Sequence, residues 1–154
     1  ERSATFGIHQ LAGEEWSFGL QYQLANTRLE QETPQVPSAF QGSRALDTGT
    51  LHRMRLSALF NHPSGWFAGT DLNWYLQQSD LDPYVAVSSR VNPHFEETFP
   101  QLNCLAGYRW HRQRAELAVG LLNVTGENYR LNPVNLYTEL PRERVAYLRL
   151  RVRF

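Results

Sequence analysis

The chain has 154 residues, with 15 basic and 15 acidic side chains and therefore no formal net charge at pH 7. This balance argues against a nucleic-acid-binding protein, which normally carries a basic excess or a basic stripe. The single cysteine, Cys104, excludes an internal disulfide framework and a cysteine-based zinc cluster. The longest apolar run, around residues 117–122, is far shorter than the about 20 residues that a membrane helix needs. A membrane strand needs only about 9–11 residues of alternating character, so a strand-based membrane protein stays open.

Alternation of apolar and polar residues is the main pattern, and its period of two is that of a β-strand. No stretch of comparable length shows a helical repeat, so we predict an all-β, antiparallel fold. In chain order, the predicted strands cover residues 2–11, 16–31, 51–62, 66–78, 102–112, 115–124 and 144–154. Each predicted strand has one apolar face and one polar face, and we expect the apolar faces to point away from the polar interior.

The connections between these strands alternate between short and long. The short ones lie at residues 12–15, 63–65 and 112–114, and the long ones span residues 32–50, 79–101 and 125–141. This alternation is typical of an outer-membrane β-barrel, which has tight periplasmic turns and long extracellular loops. We therefore predict that the long loops are extracellular.

Bulky aromatic residues border the short turns and the end of the chain, as expected for an interfacial girdle of a membrane barrel. These residues are Trp16, Phe60, Trp66, Trp110 and Phe154. Trp74 and Tyr75 lie about a membrane thickness further along their strand and are candidates for the opposite girdle. A soluble β-sandwich or a soluble ligand-binding barrel, with the apolar face turned inward, is the alternative.

Seven is an odd number of strands, whereas single-chain bacterial barrels close with an even number. Seven strands would also make a barrel too narrow for this polar lumen. We therefore expect residues 1–154 to form the C-terminal part of a larger closed, transmembrane β-barrel, whose remainder lies outside these residues.

The segment that follows the sixth predicted strand resembles the C-terminal region of TonB-dependent outer-membrane receptors. In that family the penultimate strand ends in an Asn-Leu-Thr-Asp-like turn with a Tyr a few residues later. Asn123, Thr125 and Tyr129 match this turn, whereas Val124 and Gly126 depart from it. Residues 141–144 (Pro-Arg-Glu-Arg) resemble the family's Pro-Gly-Arg segment before the last strand. This specific match covers about 35 residues, and the other strands agree in pattern only.

The resemblance implies a barrel of about 22 strands that takes up a nutrient such as a siderophore, cobalamin or a sugar. It also implies the outer membrane as location, and as partners outer-membrane lipid, the rest of the barrel, a plug domain and the TonB system. We find neither a plug domain nor a TonB-binding segment within these 154 residues. A passive porin-type channel is the alternative, because barrels without energised transport share this ending.

The motifs of catalytic chemistry are missing from the sequence. There is no Gly-x-Ser-x-Gly turn, no His-Glu-x-x-His pair and no phosphate-binding Gly-rich loop. The five histidines show no metal-ligand spacing. We therefore expect neither an enzyme nor a metal or other cofactor.

Arginines on the polar faces are the main charged feature. An arginine fork suits carboxylate and phosphate groups, so these residues are candidates for attracting an anionic solute. Alternatively they pair with acids on neighbouring strands or on a plug domain. The candidate lumen-facing residues are Arg53, Arg55, Asp71, Arg109, Arg149, Arg151 and Arg153.

The last strand ends in an aromatic residue that is preceded by apolar residues at every second position. In outer-membrane barrels generally, such an ending is the signal read by the barrel-assembly machinery. The residues that form it here are Leu148, Leu150, Val152 and Phe154.

Overall fold

The computed structural model describes residues 1–32, 44–80, 94–110, 114–127 and 143–153. These residues form one antiparallel sheet of seven strands in the order of the chain. The strands are β1 (Arg2–Ala12), β2 (Trp16–Glu32), β3 (Arg44–Asn61), β4 (Trp66–Asp80), β5 (His94–Arg109), β6 (Ala115–Leu122) and β7 (Val145–Val152). No helix in these parts of the chain is long and apolar enough to cross a membrane.

The sheet is open in the part of the chain that the structure describes. Each strand pairs with the strands before and after it, and β1 and β7 form the two edges. The predicted all-β, antiparallel architecture with seven strands is therefore confirmed.

Two strands begin earlier than the alternation of apolar residues predicts. β3 begins at Arg44 and β5 at His94, so residues 44–50 and 94–101 belong to strands rather than to long loops. The reason is backbone pairing, because Thr50 lies opposite Asn26 and Glu96 lies opposite Gln78, in continuous register with the rest of each strand. Polar residues can form the hydrogen bonds between paired strands as well as apolar residues can, since these bonds join main-chain groups.

Burial distinguishes the two faces of the sheet. The polar face carries the odd-numbered residues of every strand except β6, where it carries the even-numbered ones. All buried strand residues of the described ranges lie on this face: Asp47, Gly49, Phe67, Gly69, Asn73, Tyr75, Gln77, Ser79, Phe99, Ala118 and Gly120. The polar face is therefore the more covered of the two faces.

The apolar face is open. Trp16 is 44% exposed, Leu56 42% and Leu150 67%, so these side chains do not pack in a dry core. A few large apolar side chains also lie exposed on the polar face, near the strand ends, at Leu11, Leu29, Leu59, Leu122 and Val145. The sheet therefore has one exposed apolar surface and one surface that is polar over its middle.

Candidate functional site on the polar face

The seven candidate lumen-facing residues all lie on the polar face, where the register divides most of them into two clusters. We call Arg53, Arg55, Asp71 and Asn73 the Asp71 cluster; it lies on β3 and β4. We call Arg109, Glu116, Arg149 and Arg151 the Glu116 cluster; it lies on β5, β6 and β7 near the short turns. Arg153 follows β7 on the same side.

Within the Asp71 cluster, two arginines lean from β3 onto β4. Arg53 donates from Nε and Nη2 to the amide oxygen of Asn73, at 3.0 and 2.8 Å. Asn73 in turn donates from its amide nitrogen to Asp71, at 2.7 Å. Arg55 Nε lies 3.5 Å from the same carboxylate oxygen. Asn73 is 2% exposed, so the amide that orients Arg53 is itself fixed by its surroundings.

Aromatic side chains support this cluster from one side. Tyr75 is buried, stacks on Phe99 with ring centroids 5.1 Å apart, and lies 5.6 Å from the Arg53 guanidinium carbon. The expectation that Tyr75 belongs to an interfacial girdle is therefore wrong. Adjacent residues of a strand point to opposite faces, and Trp74 is the one on the apolar face, 47% exposed.

The turn after β6 docks onto the polar face through Asn123, which adopts the left-handed conformation (φ 52°) and is 1% exposed. Its backbone N–H donates to Asn103 Oδ1 at 2.9 Å, and Asn103 Nδ2 lies 3.4 Å from both Asp71 oxygens. Thr125 donates to Asn123 Oδ1 at 3.0 Å and to Pro100 O at 3.2 Å. Two of the family-like turn residues thus connect to the Asp71 cluster, whereas Tyr129 lies outside the described residues.

Asn103 is the link between this turn and the Asp71 cluster, and we expect Asn103→Ala to destabilise the protein. The variant leaves the buried N–H of Asn123 without its acceptor, which costs about 1–3 kcal/mol. Equilibrium chemical unfolding measures this loss. Asn26→Ala is the matched control, because Asn26 is exposed and, among the described residues, its side chain accepts a hydrogen bond from Thr50 alone. Equal losses in the two variants would contradict the role given to Asn103.

The Glu116 cluster places one carboxylate among three arginines. Arg109 Nε donates to Glu116 Oε2 and Arg149 Nη2 to Oε1, each at 2.9 Å. Arg151 is the register partner of Glu116 on β7. Arg109 also donates to Asn61 at 2.7 Å and lies over the ring of Phe67, 4.1 Å from its centroid. Here the structural interpretation of the arginines holds for Arg109 and Arg149, whose charges are paired between strands.

Sequence reasoning located the arginines and Asp71 but missed Asn73, Asn103 and Glu116. The available signal was the alternation itself, because all three occupy polar-face positions of predicted strands. In the described part of the chain, no three His, Cys, Asp or Glu residues are grouped as metal ligands. Comparisons with known protein families, with curated proteins and with solved structures give no match to this chain.

Proposed function

We propose that this chain is a segment of a transmembrane β-barrel of a TonB-dependent outer-membrane receptor for nutrient uptake. Its apolar face contacts lipid and its polar face lines the lumen. The observation that carries this proposal is the exposed apolar face, which bears no Asp, Glu, Lys or Arg between its two aromatic borders.

The upper limit of this apolar band follows the register of four strands. We call residues that lie opposite one another on neighbouring strands a row. The last row of the band contains Leu24 on β2 and Leu76 on β4, which are both register partners of His52 on β3. In the next row every described side chain is polar: Asn26, Thr50, Gln78 and Glu96. Along β4 the band runs from Trp66 to Leu76, which at about 3.4 Å per residue and a strand tilt of about 40° matches the roughly 25 Å apolar belt of outer-membrane barrels.

Aromatic residues form the borders of the band. On the side of the short turns, Trp16 packs on Phe60 with centroids 4.8 Å apart, and Tyr108 packs on Trp66 and Trp110 at 5.1 and 5.3 Å. Towards the other side of the band lie Trp74 and Tyr22. The hydroxyl of Tyr22 is hydrogen-bonded to His52 Nδ1 at 2.7 Å. Two aromatic rows around an uncharged band are characteristic of membrane barrels.

A soluble sandwich is disfavoured because it would need a second layer over the apolar face. Phe6, Trp66 and Leu148 are 66%, 58% and 69% exposed, and contiguous apolar surfaces of this kind mark an interaction with protein or membrane. The two open edges, β1 and β7, are where the remaining strands of the barrel would pair. The assignment to a TonB-dependent receptor, rather than to a passive porin, rests on Asn123, Thr125 and the segment at 141–144.

Cysteine labelling in intact bacteria tests the membrane topology. In a Cys104→Ser background, we expect Gln78→Cys to react with a membrane-impermeant maleimide in intact cells. Ser64→Cys, in the turn between β3 and β4, should react only after the outer membrane is permeabilised. The reverse pattern would invert the topology, and protection of both sites until the cells are lysed would contradict an outer-membrane location.

Binding of the periplasmic domain of TonB to the purified intact protein tests the receptor assignment separately. We expect binding. A protein that shows the labelling pattern above but does not bind TonB would be a passive channel.

A further inference from the structure

Arg53 and Arg55 each contact β4 through one side of the guanidinium group, and in each of them terminal nitrogens remain without a hydrogen bond to the described residues. Arg53 uses Nε and Nη2 on Asn73, which leaves Nη1. Arg55 contacts Asp71 only through Nε, at 3.5 Å, a separation that permits an ion pair without hydrogen-bond geometry. No side chain or carbonyl of the described residues hydrogen-bonds to the terminal nitrogens of Arg55, and its side chain is 43% exposed.

The charge of the Asp71 cluster is not balanced within the cluster. Two guanidinium groups face one carboxylate, and that carboxylate also accepts from Asn73 at 2.7 Å and lies 3.4 Å from the amide nitrogen of Asn103. Two guanidinium groups against one carboxylate leave one positive charge of the arginine pair uncompensated within the cluster. The Glu116 cluster also has more arginines than carboxylates, but there Arg109 and Arg149 both donate to Glu116 at 2.9 Å.

Other polar side chains lie near Arg55 on β1, β2 and β3. Ser57 and His9 lie above Gly19, where an added Cβ would come within 2.5 Å of Ser57 Oγ and 2.8 Å of His9 Nδ1. Gln21 is the register partner of Arg55. The side chains of Ser57 and His9 thus occupy the space that Gly19 leaves free, and they lie beside Gln21 and Arg55 on the polar face.

We propose that Arg53 and Arg55 form an oxyanion-binding subsite on the polar face, which takes a carboxylate or phosphate group of the transported solute. Asn73 and Asp71 position the two guanidinium groups, and the remaining N–H groups supply the planar fork that suits such oxyanions. This inference rests on the proposed function, because it takes the polar face to line the lumen.

Calorimetric titration of the intact protein in detergent tests the subsite, with citrate and inorganic phosphate as probes and sucrose as the neutral comparison. We expect the wild type to bind at least one of the two anions and not sucrose. Arg55→Gln and Arg53→Gln should each weaken that binding by roughly tenfold or more, since each removes a charge-assisted hydrogen bond. Citrate binding would assign a carboxylate to the subsite, and phosphate binding a phosphoryl group.

Arg149→Gln is the matched control, because it removes the same charge from the same face but at the Glu116 cluster. We expect it to change anion affinity by less than about twofold, since salt screens charges beyond roughly 10 Å. Arg55→Lys keeps the charge without the fork, so partial recovery is expected, and this variant also serves if Arg55→Gln does not fold.

Three results would overturn the subsite: no anion binding by the wild type, unchanged affinity in both Arg55 variants, or an equal loss in Arg149→Gln. Such a failure is distinguishable from failure of the proposed function. The cysteine-labelling pattern reports membrane topology without any bound solute, so a correctly labelled protein that binds no anion removes only this inference.

Discussion

In the proposed membrane barrel, Leu72→Arg is expected to lower the free energy of unfolding by about 2–4 kcal/mol, the cost of an arginine near the middle of the bilayer on a lipid-facing strand position. Leu72 lies on β4 between Trp66 and Trp74, and its register partners Leu56 and Leu102 keep the surroundings apolar. Equilibrium unfolding in lipid vesicles measures the effect.

Leu76→Arg is the control for depth. Leu76 lies on the same face of the same strand and is partly buried like Leu72, but it belongs to the last row of the apolar band. There the same substitution should cost only about 0–1 kcal/mol. If the apolar face were instead packed in a water-soluble core, both variants would bury a charge and lose similar stability. Similar losses would therefore contradict lipid contact.

The sequence was sufficient to predict the strands and their faces because period two is a local property. Trp66, Leu72 and Trp74 share a face whatever their neighbours are, since side chains alternate along any strand. The first residues of β3 and β5 were not predicted as strand, because residues 44–50 and 94–101 are too polar to show the apolar alternation. Their strand structure depends on pairing with β2 and β4, and such pairing is not visible in one strand alone.

The candidate site was predicted only in part, for a related reason. Arg53, Arg55 and Asp71 stand out by charge, whereas Asn73 and Asn103 are amides that also occur on any solvated surface. Their roles depend on the register, which places Asn73 opposite Arg55 and Asn103 opposite Asp71. Whether an arginine is paired with a carboxylate also depends on the register. Glu116 lies opposite Arg109 and Arg151, and the spacing of the arginines along the sequence does not reveal this.

The end of the chain carries the last prediction, which concerns assembly. On the edge strand β7, Leu148, Leu150 and Val152 are 69%, 67% and 49% exposed, and in the described structure β7 pairs only with β6. An edge strand with unpaired main-chain groups can add to the sheet of a partner protein. For the proposed barrel, we infer that the insertion machinery recognises this strand together with Phe154, which lies outside the described residues.

We therefore expect Phe154→Ala to reduce the amount of protein in the outer membrane severalfold. The same change should lower the unfolding free energy of barrel already folded in detergent by only about 1–3 kcal/mol, the value of one apolar side chain. Trp66→Ala is the matched control, because Trp66 is an aromatic residue at the short-turn border of the band. If Phe154 were only a further girdle residue, both variants would reach the outer membrane in equal amounts. A lower yield for Phe154→Ala, despite the larger apolar area lost in Trp66→Ala, would separate recognition during assembly from stability after it.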